Sequence, residues 1–142
     1  TYWKRSAAYP SMITFDGAVR EVCSARRIRT NTPLQALTTL NDEVYMDAAR
    51  QFAYRVQKEA GTDVNKQIAK AYSLATHKEI DDKSMQALIK LYNTAYTQFK
   101  DDESKTCEMV GGMNKSKTNA ASASLMVVTN AILNLDEVIT KS

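Results

Sequence analysis

Apolar residues recur at helical spacing along most of this chain, and the breaks between the runs carry capping residues. The first clear start is Thr32-Pro33-Leu34-Gln35. Thr32 suits the cap, Pro33 the first helical position, and Gln35 the reciprocal place in a capping box. Leu34, Leu37 and Leu40 follow as an i, i+3, i+6 stripe that predicts a face packed on a neighbour. Asn41 and Asp42 read as a second cap, so a break is expected there. A longer helix then reaches about Ala60, with Tyr45, Ala48, Ala49, Phe52, Ala53 and Val56 on its buried face. Gly61 closes it.

Thr62 and Asp63 open a third helix with Val64, Ile68, Ala71, Tyr72 and Ala75 on its stripe, ending near Thr76-His77-Lys78. Asp81 and Asp82 place negative charge at the next start, where the helix dipole favours it. That helix carries Met85, Leu88, Tyr92, Ala95, Tyr96 and Phe99, and the chain is broken at Gly111-Gly112. Asn114-Lys115-Ser116-Lys117 reads as a loop. A last helix from about Thr118 carries Ala121, Leu125, Val128, Ile132 and Leu135, and a short turn follows from Asp136 to Thr140. No strand-like alternation and no fixed repeat is visible. The pattern predicts an all-α fold: an irregular bundle of about five helices over 32–142, after a loop-rich N-terminal segment, 1–31.

That segment is too apolar for a free tail. Tyr2, Trp3, Tyr9, Met12, Ile13 and Phe15 are expected to pack on the bundle or on a partner, with turns at Tyr9-Pro10-Ser11 and Asp16-Gly17. At 142 residues and 15.9 kDa the chain fits one domain, and 4 Gly with 2 Pro leave few turns for a sandwich or barrel. No apolar run approaches the roughly 18–20 residues of a membrane span. The chain opens on Thr-Tyr-Trp-Lys-Arg, which predicts a piece of a larger protein whose targeting signal, if it has one, lies upstream.

Charge changes the picture in one place. The formal net charge is +3, and the interval Arg20–Asn31, with four arginines and one glutamate, accounts for it. Arg20, Arg26, Arg27 and Arg29, with Asn31 and Thr30, are the candidate binding residues. Guanidinium groups bind phosphate, sulfate or carboxylate in bidentate fashion, and the helix start at Pro33 would add backbone N–H groups. The competing reading is structural: ion pairs to Glu21, Asp42 or Asp47 that fix an irregular loop. A third is contact with another domain or subunit. Nucleic acid is excluded as a partner, because the basic residues stop where the helix begins.

Chemistry is otherwise sparse. His77 is the only histidine and sits at a polar helix end, so no catalytic pair and no metal set is predicted. Cys23 and Cys107 lie far apart and form no CxxC pair; a bridge and two free thiols both remain open. No catalytic residue, metal ligand or cofactor is assigned. The seven tyrosines fall mainly on apolar helical faces and read as core. Tyr2, Trp3 and Tyr9 suit either a carbohydrate site or a seam with another domain. The sequon Asn114-Lys115-Ser116 is too common to weigh.

The residues Phe15-Asp16, Arg20-Glu21, Arg26-Arg27, Thr30-Asn31-Thr32-Pro33-Leu34-Gln35-Ala36-Leu37 and Leu40-Asn41-Asp42 form a recognisable pattern. Ala48-Ala49-Arg50 and Leu133-Asn134-Leu135-Asp136-Glu137 add to it. The pattern, over about residues 15–139, resembles the C-terminal domain of a bacterial family of unknown function from planctomycete surface proteins, similar also to proteins of Bacteroidetes. The resemblance implies a large exported protein with a second uncharacterised domain upstream. A cytochrome-c-like domain often accompanies it, and carbohydrate-binding modules sometimes do. It implies an extracytoplasmic location and no known activity, and the haem motif of the upstream domain is absent here. Thr76-His77-Lys78-Glu79-Ile80 departs from the Gly-Arg-x-Pro-like turn that members often carry before the fourth helix.

The expected function is therefore a structural and binding domain that packs against upstream domains, with the arginines on or near the seam. Two alternatives stand beside it. One is part of a cell-envelope polysaccharide-acting enzyme, which needs a carboxylate pair such as Asp42, Asp47 or Glu137 would have to supply. The other is a module that binds an anionic glycan through the arginines.

Overall fold

The structure is a computed structural model and describes residues 14–15, 32–111 and 119–139. Among these residues there are seven helices and no strand: α1 (Pro33–Asn41), α2 (Glu43–Ala60), α3 (Val64–Thr76), α4 (Asp82–Asp101), α5 (Glu103–Val110), α6 (Ala120–Leu133) and α7 (Asp136–Ile139). None of them is long and apolar enough to cross a membrane.

Side-chain caps set most of the boundaries. The Thr32 N–H donates to Gln35 Oε1 at 2.9 Å and the Gln35 N–H to Thr32 Oγ1 at 3.3 Å, which completes the capping box. Asp42 alone separates α1 from α2: its N–H donates to Thr38 O, and its carboxylate accepts from the Val44 N–H at 2.9 Å. Gly61 ends α2 at φ 73°, a conformation that suits a residue without Cβ. Asp63, Asp81 and Asn119 cap α3, α4 and α6.

Seven helices replace the expected five or so for two reasons. The run after Asp82 is cut at Asp102, whose carboxylate takes the Lys105 N–H at 3.1 Å and starts α5. Thr106 seals the bend, its hydroxyl 2.8 Å from Phe99 O and 2.9 Å from Asp102 O. The expected C-terminal turn closes as the helix α7.

α6 is the axis of the bundle. It packs against α2, α3, α4, α5 and α7, and nine of its residues are buried around its circumference. A helix apolar on all sides is stable only when surrounded. Leu125, Met126, Val128 and Ile132 meet Val56 of α2, Ile68 and Tyr72 of α3, and Leu88 and Tyr92 of α4 in one core. Each fully buried side chain of this size contributes roughly 1.5–3 kcal/mol. Small residues let α2 approach closely: Ala49 and Ala53 are wholly buried, and the Thr129 hydroxyl donates to Ala49 O at 3.0 Å.

The predicted core stripes hold for α3, for α4 up to Ala95, and for α6, where Leu125, Val128 and Ile132 are fully buried and Ala121 and Leu135 partly so; those of α1 and α2 and the end of α4 need correction. Tyr96 is exposed and stacks on Tyr92, ring centroids 6.2 Å apart. Tyr45 and Ala48 are exposed, because the face of α2 turned to α6 is the narrower row Ala49, Ala53, Val56. The largest correction concerns α1.

Candidate functional site

α1 packs with its polar side inward. Gln35 and Thr39 are only 2% and 5% exposed. Gln35 receives the Thr32 N–H through Oε1 and donates through Nε2 to Thr14 O at 2.8 Å. The Thr39 hydroxyl lies 3.0 Å from Ala36 O and pairs with Asn134 Oδ1 just past α6. Asn130 of α6 donates through Nδ2 to Leu40 O at 3.3 Å and reaches Met46 Sδ at 3.1 Å. Two asparagines at the end of the axial helix therefore hold the junction of α1 and α2 across about ninety positions of sequence. Buried polar groups are tolerable when partnered, and no buried side-chain N or O among the described residues lacks a partner.

The leucines consequently face out. At about 100° per residue, the row Leu34, Leu37 and Leu40 is centred about half a turn from the middle of the face that carries Gln35 and Thr39. They are 59%, 58% and 40% exposed, and Val44 and Tyr45 at the start of α2 are exposed too, at 75% and 39%. The predicted buried stripe of α1 is thus overturned: the face that meets the bundle is the one that finds hydrogen-bond partners there. The Phe15 ring centroid lies 6.3 Å from that of Tyr45. Single exposed leucines need no explanation, but a contiguous row does. Full burial would add roughly 1.5–3 kcal/mol per large side chain.

Arg20, Arg26, Arg27, Arg29 and Asn31 lie outside the described residues, as do Tyr2, Trp3, Tyr9 and Cys23. The structure does bear on the helix start expected to assist the arginines. Pro33 has no N–H, that of Gln35 goes to Thr32 Oγ1, and that of Ala36 goes to Thr32 O. Only the Leu34 N–H of the first turn is left for an anion, so the end of α1 adds little to an anion site. The three acids named for the polysaccharide reading each have a partner. Asp42 caps α2, Asp47 sits 4.0 Å from Arg50, and Glu137 pairs with Lys78 at 3.2 Å.

Arg50 and Glu137 have structural work that the sequence did not reveal. Arg50 donates from Nε to Met109 O at 2.7 Å and from Nη2 toward Glu108 O at 3.4 Å. A cation there covers the C-terminal carbonyls of α5, where positive charge is favoured. Glu137 takes Lys78 and also raises the pKa of Tyr72, whose hydroxyl is pushed up first by burial. His77 ends α3 in the left-handed region at φ 58°, and Lys78 of the same turn pairs with Glu137 of α7. Cys107 is a free, exposed thiol.

A second feature is a cleft of about 1160 Å³ where the end of α2 and the start of α3 meet α4 and the beginning of α6. Gln57 spans part of it and donates to Ser122 Oγ at 3.0 Å.

Residues 1–92 match the model of a family described as protein of unknown function (DUF1553), also labelled PSD1. The chain belongs to this family. The matched span holds α1, α2, α3 and the first half of α4. No curated protein and no solved structure matches the chain.

Proposed function

We propose that this DUF1553-family chain is a structural and binding domain of a larger exported bacterial protein. In this reading residues 1–142 form one helical domain, and the row Leu34, Leu37, Leu40, Val44 and Tyr45 is the face that packs against an upstream domain of the same protein. The observation that carries it is the outward leucine face of a helix firmly held from behind. A helix anchored by its polar side presents its apolar side as a fixed, pre-formed surface, which lowers the ordering cost of association. The arginines at positions 20, 26, 27 and 29, with Asn31, directly precede this helix in sequence and are assigned to the same seam. An extracytoplasmic location goes with this assignment.

The test is the double substitution Leu34→Ser/Leu37→Ser in the full-length protein. Protease resistance of the junction between domains should fall, and the isolated chain should keep its melting temperature. Replacing Arg26 and Arg27 by Ala should weaken the same association in a salt-dependent way. Unchanged association in both variants would overturn the assignment.

A further inference from the structure

We propose that the cleft bounded by α2, α3, α4 and α6 is a binding site for a neutral oligosaccharide. The site is separate from the leucine face and does not depend on it. Three observations carry the proposal.

The first is shape. At about 1160 Å³ the cleft is larger than the roughly 300–1,000 Å³ that encloses a compact small molecule. A space of that size suits several linked units rather than one.

The second is the chemistry of the walls. Gln51, Gln57, Gln67 and Asn119 line it, alongside the rings of Tyr54 and Tyr92. Carboxamides offer a donor and an acceptor on adjacent atoms, the pattern presented by neighbouring hydroxyls on a sugar ring. Three of these amides are already oriented by the protein. Gln57 Nε2 donates to Ser122 Oγ, Gln67 Nε2 to Gly61 O, and Asn119 Oδ1 accepts the Ser122 N–H at 2.7 Å. Each of the three is thereby held in one orientation before any ligand binds. Tyr92, 7% exposed, is packed in the core and Tyr54 partly buried against it, which holds the aromatic part of the lining rigid. Burial pushes both phenols above their usual pKa, so they stay neutral across the physiological range.

The third is what the walls do not favour. Glu59 is the one carboxylate among the described lining residues, and it is held by Arg55 at 2.8 Å and Lys70 at 3.5 Å. That leaves no carboxylate pair for glycoside hydrolysis, so the site is read as binding rather than cleaving. Arg55 is paired by the same contact, which leaves Lys58 as the lining cation without an ion pair among the described residues; one lysine makes no cluster for a polyanion. A peptide would need a sheet edge or apolar side-chain pockets. The described residues have no strand, and the aliphatic lining is only Val64 and Ala121.

Calorimetric titration of the 142-residue chain with the β-1,4-linked hexasaccharides of glucose, xylose, mannose and N-acetylglucosamine tests the proposal. At least one should bind with Kd on the order of 1 mM or tighter. Its affinity should change less than about twofold between low and high salt. Gln51→Ala, an exposed position, and Gln57→Ala should each weaken binding by at least about fivefold, about 1 kcal/mol. Leu37→Ser should leave it unchanged, which keeps this proposal distinguishable from the docking face. Absence of binding by all four glycans overturns it, and so does binding that survives both glutamine variants. Preference for polygalacturonate that fades with salt would reassign the surface to acidic ligands.

Discussion

α1 and α6 depart from simple amphipathic expectation in opposite directions. α6 buries Ser122, Ser124, Thr129 and Asn130 among its aliphatic residues, while α1 buries Gln35 and Thr39 and leaves its leucines outside. The difference lies in what surrounds them. α6 is enclosed by helices on all sides, so its hydroxyls must find acceptors on nearby backbone, as Thr129 does at Ala49. α1 has the bundle on one side only, and the bundle offers it asparagine side chains rather than an apolar groove. Burial here follows the partner available, not the hydropathy of the helix considered alone.

The sharpest break in the comparison is a pair of identical truncations. Leu125→Ala in α6 should cost about 2–5 kcal/mol, whereas Leu37→Ala in α1 should stay within about 0.5 kcal/mol. Urea unfolding measures both. A loss of more than about 2 kcal/mol at Leu37 would mean that its face is covered within this chain. A smaller effect concerns the polar anchor. Thr39→Ala and Asn134→Ala should be coupled by roughly 0.5–3 kcal/mol in a double-mutant cycle. Additive losses would show that the pair does not hold α1.

The smallest effect is in the alkaline limb. Tyr54, Tyr72 and Tyr92 all have pKa values raised above 10.0, chiefly by burial. A raised folded-state pKa means that the unfolded chain loses its proton first. Stability from these groups is therefore full below about pH 10 and declines as pH rises further. Tyr92→Phe should flatten that decline in melting temperature measured from pH 9 to 11 (approximate limits). An unchanged slope would remove Tyr92 from the account. On the acid side, Glu59, Asp81 and Asp102 have lowered pKa values, from hydrogen bonds to Arg55, Ser84 and Lys105. Their contribution is lost as pH falls.

What was legible in the sequence was mostly local. Thr32, Asp42, Asp63 and Asp81 act on N–H groups two or three residues away, so the helix starts at those positions follow from short motifs. The Asp102 cap was harder to see, because it lies in a charged run that reads as a solvated helix face. The orientation of α1 was not legible at all. It depends on Asn130 and Asn134, remote in sequence, and the regular leucine spacing pointed the wrong way. Arg50 left only the trace of a short motif, since its acceptors are carbonyls of a helix about sixty positions later. The amides of the cleft gave no pattern in the chain, because Gln51, Gln67 and Asn119 come from three different stretches.

The single residue between α1 and α2 fixes a phase as well as a boundary. Asp42 takes part in the caps of both helices, so there is no slack to absorb a change in length. One inserted residue would turn α1 by about 100° relative to α2. That rotation would carry Thr39 away from Asn134 and swing the leucines toward a different side of the molecule. Substitutions along α1 alter the surface of this patch, whereas an insertion or deletion at position 42 changes the direction in which it points.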